Sequence, residues 1–120
     1  MKVNFKQPFK NYDGTNIKET FEVVEKQNVD GEVKDVVVQK ERDKLISSMV
    51  SSILFIGKDC TNAEEKMKAF DLSQRIYKAT SEIEISTEEA SFIKKQTSEA
   101  MIAGAYAQVV NLLENNEKEE

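Results

Sequence analysis

The fold is decided by residues 16–39, which read NIKETFEVVEKQNVDGEVKDVVVQ. In the first part of this stretch apolar residues alternate with charged or polar ones, the period of a strand with one buried face. Valines dominate the last part, and β-branched residues favour extended backbone. Asp30-Gly31 between them is a strong signal for a tight turn. The stretch therefore predicts a β-hairpin with arms at residues 16–27 and 32–39 and a projecting, charged tip.

The chain on either side of the hairpin shows different patterns. Residues 2–6 alternate polar and apolar side chains, which predicts a further half-buried strand. Residues 42–56 repeat apolar side chains at steps of three and four, as an amphipathic helix does. Gly57 is well placed to end that helix in the left-handed conformation.

Two capping patterns predict the next helices. Thr61 and Glu64 match a capping box, and the helix that they open is expected to reach about Ala79. Ser86 and Glu89 match a second box. Between the two helices, residues 82–85 alternate acidic residues with isoleucines, as a short strand or an extended link does. Residues 87–114 form either one bent helix or two helices, and the pattern leaves both open.

These patterns predict an α+β protein, in which an N-terminal β-hairpin, with or without a third strand, packs with three or four C-terminal helices. The predicted single domain spans 1–114, with the hairpin at 15–39 and a mainly helical part at 41–114. Residues 115–120 are expected to be a disordered acidic tail. The predicted core comprises Phe21, Val23, Leu45, Met49, Ile53, Phe70, Ile76, Ile83, Ile85, Ile93, Val109 and Leu112.

The composition narrows the classes of function. The chain has 120 residues, of which 39% are hydrophobic and 32% charged, so one folded domain is expected. Its net charge of −5 argues against nucleic acid as a partner. No apolar run is long enough to span a membrane, and the N-terminus lacks the apolar core of a signal peptide. We therefore expect a cytoplasmic protein.

The sequence offers little for catalysis. It contains no histidine and one cysteine, which excludes Ser-His and Cys-His nucleophiles and a structural zinc site within this chain. Cys60 precedes a helix start, where the pKa of a thiol can be lowered, although a lone loop cysteine is more often incidental. Paired carboxylates with magnesium are the remaining catalytic option, at Glu64/Glu65, Glu82/Glu84 and Glu88/Glu89. Capping and solvation explain most of these, so we expect no enzyme and no cofactor.

Two groups of residues are candidates for binding a protein partner. The hairpin contributes acidic side chains, which would suit a basic surface if they share one exposed face: Asp30, Glu32, Asp35 and Glu41. The first long helix contributes small side chains that permit close approach by another element: Ser47, Ser48, Ser51 and Ser52. The alternative for the serines is close packing within the domain.

The second half of the chain resembles small phage and prophage proteins of unknown function. The resemblance covers about residues 64–114, and its motifs are Phe70-Asp71-Leu72, Arg75-Ile76-Tyr77, Glu82-Ile83-Glu84-Ile85-Ser86, Glu88-Glu89, Ile93-Lys94-Lys95 and Val109-Val110-Asn111-Leu112-Leu113-Glu114. These are capping and packing residues. The resemblance implies a viral origin and a non-enzymatic role, and the charged hairpin departs from its pattern.

Three functions are carried forward as hypotheses. The first is a phage-encoded acidic domain that binds and modulates a host protein. The second is a virion structural or assembly protein that acts by self-association into a homo-oligomer, with the hairpin adding a strand to a neighbour. The third is a carboxylate- and metal-dependent enzyme, which requires acidic side chains that converge in a pocket.

Overall fold

The computed structural model describes the backbone of residues 1–118 and the side chains of residues 1–115. Its strands are β1 (Lys2–Val3), β2 (Lys18–Val29), β3 (Glu32–Asp43) and β4 (Ile83–Glu84), and its helices are α1 (Ile46–Ile56), α2 (Ala63–Lys78), α3 (Thr87–Ser98) and α4 (Ala103–Lys118). β2 pairs with β3 and β1 pairs with β4, both antiparallel, in two separate two-stranded sheets. The predicted α+β class is confirmed, with four helices.

The hairpin is longer than the sequence pattern predicted. β2 runs to Val29 and β3 runs to Asp43. The pattern had ended the second arm at residue 39 and had placed the start of the mainly helical part at residue 41 and the start of a helix at residue 42. β3 is longer because its residues 40–43 pair directly with residues 18–21 of β2. The turn has positive φ at Asp30 (53°) and at Gly31 (84°), which is the backbone of the tight hairpin turn that this dipeptide favours.

Helix α1 begins at residue 46 because the preceding backbone is committed elsewhere. Leu45 bridges Pro8 in extended conformation and gives α1 no side-chain cap. Instead, the N–H groups of Ile46 and Ser47 donate to backbone carbonyls of the N-terminal segment, each at 2.8 Å. Gly57 ends the helix at φ 60°, so the predicted left-handed cap is confirmed.

The remaining helix ends show which capping predictions succeed. The Ser86–Glu89 capping box is present, with both reciprocal hydrogen bonds. The box predicted at Thr61 is shifted by one residue, because Asn62 is the cap and accepts from the Glu65 N–H at 2.8 Å. Residues 99–102 separate α3 from α4, which resolves the one-or-two question as two helices.

The C-terminal end of the chain is more regular than predicted. Helix α4 continues through Lys118, so the backbone of residues 115–118, predicted as a disordered tail, is helical. Residues 119–120, the last part of the predicted tail, lie outside the described residues.

The core lies among the helices and the N-terminal segment. Of the predicted core, Ile76, Ile85, Ile93 and Val109 are buried, while Leu45, Met49, Ile53, Ile83 and Leu112 are partly buried. Three predictions are wrong: Phe21 and Val23 lie on the hairpin away from this cluster, and Phe70 is 47% exposed. The core gains N-terminal residues that the prediction omitted, namely Met1, Val3, Phe5 and Phe9.

Candidate functional site

The hairpin of β2 and β3, called the arm from here on, extends away from the helices. Each strand has 12 residues, which corresponds to a length of roughly 40 Å. Among the described residues no close packing joins the arm to a helix, and the molecule measures 59 × 37 × 25 Å. Its radius of gyration is 17.7 Å, whereas a compact domain of this length has about 14 Å. The arm is therefore a projecting element.

Backbone hydrogen bonds fix the arm at its base. Ile17 N–H donates to the Phe9 carbonyl, Phe9 N–H donates to the Lys44 carbonyl, and Lys44 N–H donates to the Ile17 carbonyl, at 2.8, 2.8 and 2.9 Å. Lys18 and Asp43 form an ion pair at the same end, and this contact lowers the pKa of the Asp43 carboxyl. The arm is thus anchored at residues 17–18 and 43–44 and free beyond them.

One face of the arm, the paired face, is covered by its own side chains. Phe21, Val23, Val36 and Val38 lie on it, and the Arg42 guanidinium stacks 4.4 Å from the centre of the Phe21 ring. The same face carries the ion pairs Arg42–Glu19 at 2.9 Å and Lys40–Glu25 at 2.6 Å. The hydrogen bond from Lys40 lowers the pKa of Glu25. These contacts join the two strands across the paired face.

The opposite face, the open face, is exposed to solvent. Val24 and Val37 stand directly opposite each other on it, 67% and 61% exposed, and Val33 is 71% exposed. Neither β2 nor β3 has another strand beside it in the described residues, so the outer backbone edge of each strand is unpaired. An exposed edge of this kind is a template for pairing with another chain.

The four acidic residues of the hairpin that were named as candidates for partner binding do not share one face. Asp35 and Glu41 share the open face but stand roughly 20 Å apart along β3. Glu32 points to the other face, where its carboxylate lies 4.0 Å from the Lys34 ammonium, and Asp30 occupies the turn. The arm therefore presents dispersed charge instead of a concentrated acidic surface.

The four serines of α1 separate into two pairs. Ser47 and Ser51 are buried, with 3% and 6% exposure, so they serve close packing inside the domain. Ser48 and Ser52 are exposed and, together with Ser51, line a groove against α2. This groove has a volume of about 290 Å³, and its other lining residues are Phe55, Ser73, Gln74 and Tyr77.

Aromatic side chains border this groove, and the sequence reading missed them as surface residues. Phe55 and Tyr77 are 63% and 66% exposed, and Phe55 packs against Phe70 with ring centres 6.1 Å apart. None of the lining residues is charged. The sequence contained a pattern that could have revealed these exposed aromatic residues, namely a second apolar stripe on α2. Leu72 and Ile76 are buried on one face of α2, and a different face carries Met67, Phe70 and Tyr77.

Of the paired carboxylates considered for catalysis, the two that are partly buried, Glu65 and Glu89, make structural contacts. Glu89 caps α3 and binds Arg75 at 2.6 Å, and Arg75 also donates to the Glu84 carbonyl at 2.7 Å. Burial alone would raise the pKa of Glu89, but the Ser86 N–H and the Arg75 guanidinium outweigh it and lower that pKa. Glu65 accepts from Thr61 and contacts Lys95. Among the side chains that the structure describes, no cluster of three or more acidic or cysteine residues could hold a metal.

Cys60 does not have the activated environment that its position suggested. Its thiol donates to the Gln96 side-chain oxygen at 3.6 Å. Burial raises the pKa of this thiol, and the nearby Glu65 carboxylate adds to the effect. The pKa is thus not lowered by the adjacent helix start, because burial has the larger effect.

Comparison with known proteins gives no further assignment: no family model, curated protein or solved structure matches the chain. Over the described residues, no helix is both long and apolar enough to cross a lipid bilayer.

Proposed function

We propose that this protein is a non-enzymatic interaction protein that binds another polypeptide chain through its arm. The observation that carries this proposal is the arm itself, two 12-residue strands that extend beyond the helices and whose outer edges pair with no other strand in the part of the chain that the structure describes. An isolated two-stranded hairpin is marginally stable in water, and a third strand or a packed surface makes such an element firm. Strand addition would supply the missing backbone hydrogen bonds.

Of the two interaction hypotheses, assembly by self-association has the better support. An inhibitor of a basic host surface calls for concentrated acidic charge, whereas Glu32 and Asp35 point to opposite faces of the arm. An assembly protein calls for exposed apolar groups and free strand edges, which Val24 and Val37 and the two outer strands provide. The resemblance to phage proteins adds a role in the virion or in the infected cytoplasm to this proposal.

A shortened arm tests the proposal. Glu19 and Arg42 are direct partners in the ladder, in phase with Val29 and Glu32, which close the native two-residue turn, so residues 20–41 can be replaced by Asn-Gly. We expect light scattering to give a mass above the 13.7 kDa of one chain for the unaltered protein and the monomer mass for the shortened protein. Tyr77→Ser, which alters the groove and leaves the arm intact, should keep the association. Equal association with and without the arm would overturn the proposal.

The groove between α1 and α2 favours a second candidate function, the binding of a different protein. Its uncharged lining and exposed Phe55 and Tyr77 rings suit an apolar segment, and aromatic residues are enriched at the energetic centres of interfaces. A protein captured by the unaltered chain and by Glu41→Lys, but lost with Tyr77→Ser, would support this candidate. If the captured protein also binds the Tyr77→Ser variant, the groove is excluded as its binding site.

A further inference from the structure

We infer that the arm's partner is a second copy of this chain, joined by antiparallel pairing of β2 with β2 so that Val24 of each copy lies opposite Val24 of the other. This inference rests on the proposed function and specifies its contact. It begins from the two free edges of the arm, and it assigns the contact to β2 because the charges along that strand are complementary to themselves.

The symmetry of a homodimer limits the registers to be considered. In a two-fold antiparallel pair one residue must face its own copy, and residues at equal distances on either side face each other. With Val24 at the centre, Glu22 of each copy faces Lys26 of the other, twice across the axis. Just beyond the paired segment, Lys18 of each copy faces Asp30 of the other. Opposite charges placed in this way stabilise a cross-strand pair.

Other registers of β2 are less favourable. Centring the pair on Glu22, Glu25 or Lys26 places two identical charges directly opposite each other, which destabilises the sheet. Centring it on Val23 avoids that conflict but brings no opposite charges together. Val24 is thus the centre that pairs most of the strand and matches its charges.

The outer edge of β3 is a poorer match for itself. Centring it on Val37 places Lys34 opposite Lys40, and centring it on Val38 places Asp35 opposite Glu41. A register centred on Val36 avoids like charges and places Glu32 opposite Lys40, but it pairs only residues 32–40 and leaves the end of β3 unmatched.

The β2 pairing also joins the exposed valines of the two open faces into one row. Val37 lies directly opposite Val24 within each arm, so the pairing places four valines side by side across a four-stranded sheet. These are among the exposed apolar side chains of the arm, at 67% and 61% exposure. Because Val24 lies near the middle of β2, the tip of each arm reaches the base of the other, and the helical bodies lie at opposite ends of the sheet.

Single cysteines test the register directly. In a Cys60→Ser background, Val24→Cys should form an intermolecular disulfide under mild oxidation, because opposite Cα atoms in antiparallel strands are about 4.5–5.5 Å apart, within disulfide range. Val37→Cys is the matched control, on the same face and similarly exposed. In the proposed sheet the two copies of Val37 are three strand spacings, roughly 14 Å, apart and should not cross-link.

A charge reversal provides an independent measurement. Glu22→Lys places lysines opposite each other on both sides of the two-fold axis, and we expect the dimer dissociation constant from light scattering to rise at least about tenfold. Glu41→Lys makes the same change of charge on the same face, away from the β2 edge, and should leave the constant nearly unaltered. Circular dichroism of each variant establishes that it is folded.

The outcomes separate this inference from the proposed function. Selective cross-linking of Val24→Cys, together with weakening by Glu22→Lys alone, supports the inference. Cross-linking of Val37→Cys, or a dimer that neither cysteine captures, overturns the β2 register while self-association stands. A monomer at every concentration overturns the second copy as partner and directs the search to a different chain. Association that survives removal of the arm contradicts the proposed function itself.

Discussion

Removal of the arm should leave the helical body folded. In the variant in which residues 20–41 are replaced by Asn-Gly, the removed contacts include the Arg42–Phe21 stacking and the Lys40–Glu25 ion pair, both of which lie within the arm. We therefore expect the free energy of unfolding of the body to change by less than about 1 kcal/mol, because local elements with few outside contacts unfold separately.

The same variant should change the shape of the molecule strongly. The radius of gyration of the whole chain is 17.7 Å, and a compact domain of the shortened length has about 13 Å. Small-angle scattering of the monomeric variant measures this value, and thermal melting followed by far-UV circular dichroism measures the stability. A loss of several kcal/mol, or a protein that fails to fold, would refute the reasoning, since it would mean that the arm packs on the helices.

Three further predictions concern the body. Arg75→Met removes the ion pair with Glu89 and should therefore lower the free energy of unfolding, measured by chemical denaturation at neutral pH, by about 1–2 kcal/mol. The pKa of Glu89 is lowered in the folded state, so its carboxylate stabilises the fold above its unfolded pKa, and the cost of Arg75→Met should shrink below about pH 4. Gln96→Met should raise the stability by about 1 kcal/mol, because the buried side-chain nitrogen has no hydrogen-bond partner among the described residues, whereas Thr97→Val, which removes a made hydrogen bond, should lower it by a similar amount. Gly57→Ala should cost about 1–2 kcal/mol because of the left-handed backbone, and an unchanged melting temperature would contradict this.

Features set by neighbouring residues could be predicted from the sequence. The hairpin turn, the left-handed end of α1 at Gly57 and the Ser86–Glu89 capping box all depend on a few adjacent side chains, and each is present. The cap of α2 shows the limit, because Thr61 and Asn62 are both good caps and each has an acid three residues later. The structure selects Asn62, while Thr61 binds the carboxylate of Glu65.

Features set by distant residues could not be predicted in the same way. The alternation correctly indicates that β2 has one partly buried face, which carries Phe21 and Val23. It does not show that this face is buried by Arg42 and other side chains of β3. Val3 is fully buried because β1 pairs with β4, whose residues lie about eighty positions further along the chain. The same limit applies to the groove, since the exposed face of Phe70 depends on where α2 packs.

Amide hydrogen exchange resolved by residue is the most direct measurement of the role assigned to the arm. Within a lone arm, the amides that point outward from β2 and from β3 are both open to solvent and exchange fast. When two copies pair through β2 at high protein concentration, the outward amides of residues 18–29 should be protected from exchange, while those of residues 32–43 continue to exchange fast. Equal, fast exchange along both outer edges at the highest attainable concentration would contradict self-association through the arm.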